Sequence, residues 1–241
     1  MTTQFETTDG VSVPAVTADQ MRSVDRVAVE DVGLALLQMM EHAGRNLAEV
    51  ARDAADGGSI VVLAGDGGNG GGGICAARHL ANGGADVTLV VDRPDDELTG
   101  AAARQRRILA ATDANVVTSS HASASIHDAA VVVDALVGYG LSGALRGTAA
   151  SLVETTADAN VVVSLDVPSG VDATTGDAPG VAVEPDTTLT LALPKTGLAR
   201  AAVGDLLLAD IGIPRGVYDI LDIDYTDPFD GARRVWLRIR T

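Results

Sequence analysis

Residues 65–73 read Gly-Asp-Gly-Gly-Asn-Gly-Gly-Gly-Gly and follow directly on the apolar run Ile60-Val61-Val62-Leu63-Ala64. Seven glycines in nine positions strip out side chains where a strand ends and a helix begins. A ligand can then approach backbone N–H groups closely, and the helix N-terminus adds partial positive charge. That cradle suits a phosphate or pyrophosphate, and it commits the chain to a strand feeding a helix. Gly65, Gly67 and Gly70 spell G-x-G-x-x-G. Asp92, at the end of the next apolar run, stands where a dinucleotide dehydrogenase places its ribose-binding carboxylate. No Gly-Lys-Ser/Thr occurs, which excludes a Walker nucleotide site.

The pattern downstream is a strand–helix alternation. Strand-like runs fall at 59–64, 86–92, 115–118, 130–137, 160–166, 186–193 and 205–210, with helical stretches at 72–82, 97–112, 148–158 and 195–202. Right-handed βαβ crossovers and a mostly parallel sheet follow. With only one Trp, three Tyr and two Phe, the core must be aliphatic, as suits strands covered on both faces. Two helices precede the alternation. Thr17-Ala18-Asp19-Gln20 fits a capping box, with Met21, Val24, Ala28 and Val32 on one face. Leu36, Met40, Ala43, Leu47 and Val50 mark the second, which Gly57-Gly58 ends. Residues 1–14 are expected to be loosely held, 15–219 to form one domain, and the tail 220–241 to dock as an edge strand.

The net charge is −16, and Lys195 is the only lysine beside sixteen arginines. This balance argues against a nucleic-acid or anionic-membrane surface and fits a salt-rich cytoplasm, where repulsion is screened. There is no run of about 20 apolar residues to span a membrane, and no signal peptide; a cytoplasmic protein is expected. Cys75 is the only cysteine, so neither an internal disulfide nor a thiol metal cluster is expected; it reads as a core position. His42, His79, His121 and His127 lack metal-ligand spacing and read as structural.

In a parallel α/β sheet, ligands bind beyond the carboxyl ends of the strands. Three turns meet there: the glycine stretch, Asp134 with Gly138-Tyr139-Gly140-Leu141-Ser142-Gly143, and Asp166-Val167-Pro168-Ser169-Gly170. A carboxylate at Asp166, fixed by the following proline, can exchange protons with a substrate. Asn69, Asp134 and Ser169 offer oxygen ligands of the kind hard cations take. Ordinary capping and turn bonds are the alternative for each.

Six ordered blocks resemble the NAD(P)H-hydrate epimerase family, also called the YjeF N-terminal domain. They are Leu37-Gln38-Met39-Met40-Glu41-His42-Ala43-Gly44-Arg45, the glycine stretch with Ala76-Ala77-Arg78-His79-Leu80, and Val133-Asp134-Ala135 through Gly143. Ser164-Leu165-Asp166-Val167-Pro168-Ser169-Gly170-Val171-Asp172, Leu191-Ala192-Leu193-Pro194-Lys195-Thr196-Gly197-Leu198 and Ala209-Asp210-Ile211-Gly212-Ile213-Pro214 complete the set. The resemblance implies a three-layer α/β/α Rossmann-like sandwich, commonly a homodimer. It implies interconversion of the R and S forms of NADHX and NADPHX, the hydrates of reduced nicotinamide cofactors. The implied substrate contacts are Gly68, Asn69, Gly70, Gly71 and Gly72, then Gly138, Tyr139, Gly140, Leu141, Ser142, Gly143 and Ala144, and Asp166. Asp166 is the implied acid/base. Asn69, Asp134 and Ser169 would hold a potassium ion. Some relatives carry a dehydratase fused downstream; ending at Thr241, this chain would work with a separate NAD(P)H-hydrate dehydratase. Three positions depart from the usual loop, Gly-Pro-Gly-Asn-Asn-Gly-Gly-Asp-Gly: Gly68 replaces an Asn, Gly72 an Asp and Asp66 the Pro; outside the loop, His42 replaces a usual Asn. The alternative for a chain with those changes is a nucleotide-binding or interaction module without turnover.

Overall fold

Each of the seven apolar runs between Ile60 and Ala209 becomes a strand, trimmed at its ends. The structure, a computed structural model, describes residues 5–240. In chain order it runs β1 (Phe5–Thr7), β2 (Ser12–Val13), α1 (Ala18–Arg26), α2 (Leu36–Ala55), β3 (Ile60–Ala64), α3 (Gly68–Asn82), β4 (Val87–Val91), α4 (Gly100–Leu109) and β5 (Asn115–Val117). There follow α5 (Ala122–Asp128), β6 (Val131–Ala135), α6 (Gly147–Thr155), β7 (Val162–Leu165), β8 (Thr187–Leu191), β9 (Asp205–Ala209), α7 (Arg215–Ile220) and β10 (Arg234–Ile239). All the strands join one sheet in the order β2-β1-β10-β9-β8-β7-β6-β3-β4-β5. β3 to β9 are mutually parallel, while β10, β1 and β2 add on antiparallel.

Strand pleat assigns the layers. Ile60, Val62 and Ala64 pack with Leu47 of α2, Ile74 and Leu80 of α3, and Ala102 of α4. Their neighbours Val61 and Leu63 point the other way, onto Ile126 of α5 and Leu152 of α6. A further cluster joins Phe5, Met21 and Val24 to Leu206, Leu208 and Val217 at the antiparallel end. The fold is therefore an α/β/α sandwich with a mostly parallel sheet. From β3 the chain moves outward to β4 and β5, then returns to β6 on the opposite side of β3. That reversal opens a crevice between the carboxyl ends of β3 and β6, and the site lies there.

Four expectations change. Residues 5–7 and 12–13 are strands rather than loose chain, and Phe5 is fully buried; residues 1–4 lie outside the described residues. The tail strand β10 pairs with β9 on one side and β1 on the other, so it is interior to the sheet rather than an edge. Two of the tail's arginines bind α2: Arg233 and Arg234 reach Glu49 at 2.9 and 2.6 Å, and Arg234 reaches Asp53 at 3.4 Å, while Arg240 reaches Glu6 of β1 at 3.3 Å. The capping box at Thr17 forms, but a π-helical turn over Val27–Asp31 breaks the period and leaves Val32 exposed. Finally α3 starts at Gly68 instead of 72, so the glycines make up its first turn. Glycine is a poor helix former by about 1 kcal/mol, and packing overrides that here. A Cβ on Gly70 would lie 1.7 Å from the Gly65 carbonyl oxygen, and one on Gly73 would lie 2.5 Å from the Ala135 Cβ.

Candidate active site

The crevice holds a cavity of about 540 Å³. Its floor and walls come from the start of α3, the loop after β6, the end of β7, the turn after β8, and α1 and α2. Of the substrate contacts expected from sequence, Gly68, Asn69, Gly72, Gly138, Tyr139, Gly140 and Asp166 line it. Gly70 and Gly71 instead face protein, against Gly65 and Met40. Leu141, Ser142, Gly143 and Ala144 continue the loop beyond the cavity wall, where Ala144 packs on Gly180.

Asp166 is the most constrained residue of the site. It follows β7 with φ +69°, a left-handed conformation that costs a non-glycine residue about 1–2 kcal/mol. Its N–H bonds to the Leu189 carbonyl at 2.8 Å, which anchors that turn to β8. The carboxylate is buried and takes three donors. Tyr139 N–H reaches Oδ2 at 3.1 Å, Leu191 N–H reaches Oδ1 at 3.4 Å, and Lys195 Nζ closes an ion pair with Oδ1. Lys195 is only 1% exposed and also donates to the Leu191 carbonyl at 2.9 Å. Sequence reasoning assigned it no role. The signal was present: a chain that otherwise uses only arginine keeps one lysine, and a compact, titratable ammonium differs from a guanidinium in being able to release a proton.

Tyr139 ties this pair to α1. Its hydroxyl donates to Asp25, and its ring lies 5.7 Å from Lys195 Nζ. Burial pushes the Asp25 carboxyl up, with the Tyr139 hydrogen bond and the Lys195 charge pulling it back. Burial, then the Asp25 charge, raises the Tyr139 phenol well above its ordinary value. The phenol therefore stays protonated and serves as a fixed donor.

Asp134, at the end of β6, is buried completely, beneath the cavity. Ser164 Oγ and Ser169 N–H donate to its Oδ2 at 2.8 and 2.9 Å, while Ser169 Oγ and Leu136 N–H donate to Oδ1. Among the described residues no cation pairs with it. Burial raises its pKa, opposed by the Ser169 and Ser164 bonds. A buried carboxylate without a counter-charge, in contact with the Ser169 hydroxyl, is a donor set that fits a monovalent hard cation. Asn69 converges instead on Asp166 across the loop after β6: a Cβ on Gly138 would stand 2.9 Å from Asn69 Oδ1 and 3.0 Å from Asp166 Oδ2. Only glycine lets those two side chains converge. The Asn69 amide nitrogen is buried without an acceptor, so a bound group that accepts a hydrogen bond completes it.

The backbone N–H groups at the start of α3 belong to Gly68, Asn69 and Gly70, which lie before the first helical acceptors. Of these, Gly68 and Asn69 line the cavity, and a helix N-terminus of this kind attracts an anion. Asp92 also lines the cavity, paired with Arg93 at 2.8 Å, and Arg93 lies 3.5 Å from Asp66. Away from the cavity, Glu41, Cys75 and His79 bring ligand atoms within 4.8 Å of one another, a grouping the sequence spacing did not suggest. Arg78 fills it, donating to Glu41 and to Cys75 Sγ at 3.2 Å, and that fixed positive charge opposes a cation. Burial, then the Glu41 charge, holds the Cys75 thiol up at about 12, an inert core thiol.

The family model for the YjeF-related protein N-terminus matches residues 36–197, the span that builds the cavity from α2 through Lys195. The chain belongs to this family. A NAD(P)H-hydrate epimerase of Dehalogenimonas lykanthroporepellens is 46% identical over 225 residues, covering 90% of both chains. One from Rhodopirellula baltica is 32% identical, covering 85% of this chain and 86% of its own length. A bifunctional NAD(P)H-hydrate repair enzyme of Salinibacter ruber is 36% identical over 86% of this chain, which spans only 42% of that longer protein. A yeast crystal structure superposes with a TM-score of 0.81 at 21% identity, covering 93% of this chain and all of that one, and so shares the family's fold.

Proposed function

We propose that this chain is an NAD(P)H-hydrate epimerase, an isomerase that equilibrates the R and S hydrates of NADH and NADPH. The observation that carries the reading is Asp166: a buried carboxylate, forced into a left-handed turn and aimed with Asn69 into a cavity whose other end is an anion-binding helix start. The N–H groups of Gly68 and Asn69 receive the pyrophosphate. The hydrated ring lies against Asp166, Asn69 and Gly138. Asp166 passes a proton to the hydroxyl at the hydrated carbon, the hydroxyl leaves as water, and water returns on either face. No redox change occurs. Asn69, Asp134 and Ser169 would hold a potassium ion, which would supply the counter-charge Asp134 lacks. The working protein is a cytoplasmic homodimer that supplies an NAD(P)H-hydrate dehydratase activity with its one usable epimer, and its acidic surface suits molar salt.

The test is exchange of purified R-NADHX with S-NADHX in molar KCl, with NaCl for comparison. Exchange well above the buffer rate, faster in potassium, is expected. A second reading draws on Gly72, where a Cβ would press on Leu165 Cδ2 at 2.9 Å, so the space of the usual Asp is filled. Cofactor that raises the melting temperature without accelerating exchange would select that reading, a binding module.

A further inference from the structure

Lys195 is the one buried cation beside the reacting carboxylate, and the turn that carries it is built for that placement. Ala192, three residues before it, adopts φ +61°, which bends the chain after β8 so that Lys195 comes back over Asp166. Val16 pairs with Lys195 through the backbone and fixes it from the other side. An ammonium has three donors. Two are used, on Asp166 Oδ1 and the Leu191 carbonyl, and the side chain lines the cavity. The charged and titratable groups facing it are Asp166 at the end of β7, Asp25 on α1 and Tyr139 in the loop after β6, with Arg22 also 6.0 Å from the centre of the Tyr139 ring. Two acidic side chains and one ammonium therefore share this corner.

We propose that Lys195 is the proton store of the site, a positioning residue that acts through Asp166; this rests on the epimerase reading. Lys195 Nζ already donates to Asp166 Oδ1, so a proton can move between them along a hydrogen bond that is in place before substrate arrives. The proton leaves Nζ, reaches the Asp166 carboxyl and passes to the hydroxyl oxygen on the hydrated carbon. The C–O bond breaks with its electron pair on oxygen, and water forms. The adjacent ring nitrogen closes a C=N bond and takes up the positive charge. The net charge of the corner is unchanged: the cation has moved from Nζ to the ring, with the Asp166 carboxylate between them. Addition of water to the other face reverses each transfer and returns the proton to Nζ.

Arginine separates this role from that of a counter-ion, since a guanidinium keeps the charge but does not release a proton. The experiment compares wild type, Lys195→Arg and Lys195→Met in epimer exchange across pH, with NADH binding measured separately. Both variants are expected to lose about 10²- to 10³-fold in kcat with KM within a few-fold. The alkaline fall of the wild-type profile should be missing from Lys195→Arg. Retention of kcat within about fivefold by Lys195→Arg would overturn the proposal and leave Lys195 a counter-ion. A second readout does not depend on turnover. Because Lys195 is the only lysine, 15N-lysine labelling gives one side-chain ammonium signal. It is expected to be protected from water exchange and to shift on adding NADH and in Asp166→Asn. A freely exchanging signal indifferent to both overturns the proposal even if wild type is active. A responsive signal without wild-type exchange overturns the epimerase reading instead.

Discussion

Asp134 and Asp166 lie at the ends of neighbouring parallel strands and are both buried, yet their surroundings differ in kind. Asp134 is surrounded by neutral donors from Ser164, Ser169 and Leu136, beneath the cavity and with no cation in contact among the described residues. Asp166 lines the cavity, sits in a strained turn, and is matched with an ammonium. The first arrangement spends a carboxylate on tying the turns after β6 and β7 together. The second leaves a carboxylate paired with an ammonium at the cavity wall. Residue type and position on the sheet do not distinguish them; the neighbours do.

The comparison can be broken in several ways. Asp166→Asn is expected to slow exchange by about 10³-fold, since a positioned acid/base contributes about 10²–10⁴; epimer ratios followed by chromatography measure it. Asp134→Ala strands the Ser164 and Ser169 hydroxyls and two N–H groups. It should cost about 3 kcal/mol or more of stability in urea unfolding. Gly138→Ala places a methyl between Asn69 and Asp166 and should lower kcat by about 10- to 100-fold with the melting temperature nearly unchanged. The pH response sharpens the contrast further. Burial raises the folded pKa of Asp134 above its ordinary 3.8. The fold therefore bears the cost of that buried charge above the folded pKa, and the cost goes as pH falls through it. In sodium buffers, urea midpoints should show this acid-side gain in wild type and less of it in Asp134→Asn. Gly68→Asn is the mildest: a Cβ there meets nothing within 4 Å, so exchange should stay within about threefold.

Much of the fold was legible because its signals were periodic. The apolar runs 60–64, 87–91 and 131–135 are buried on both faces and read as strands without help from context. β1 and β2 are short and partly polar, and only pairing with β10 makes them strands. α5 and α7 are short, and the Ser-rich sequence before α5 carries little pattern. Of the candidates read from strand ends and turns, Asn69 and Asp166 line the cavity and Asp134 and Ser169 bond to each other. Lys195 and Asp25 were not among those candidates, since each reaches the cavity from an element remote in sequence, and only tertiary packing brings an ammonium onto Asp166. The start of α3 was misplaced for a related reason: the glycines there answer to contacts with Gly65 and Ala135, which local propensity does not record.

The division of labour between the two aspartates is tested most directly by Asp134→Asn and Asp166→Asn side by side, with exchange rate and urea stability measured on the same samples in molar KCl. Asp166→Asn is expected to remain folded and lose turnover by about 10³-fold, while Asp134→Asn keeps most of its turnover and loses its preference for potassium over sodium. An Asp166→Asn enzyme that exchanges epimers at the wild-type rate, or a fully folded Asp134→Asn enzyme that is as inactive as Asp166→Asn is expected to be, would contradict it.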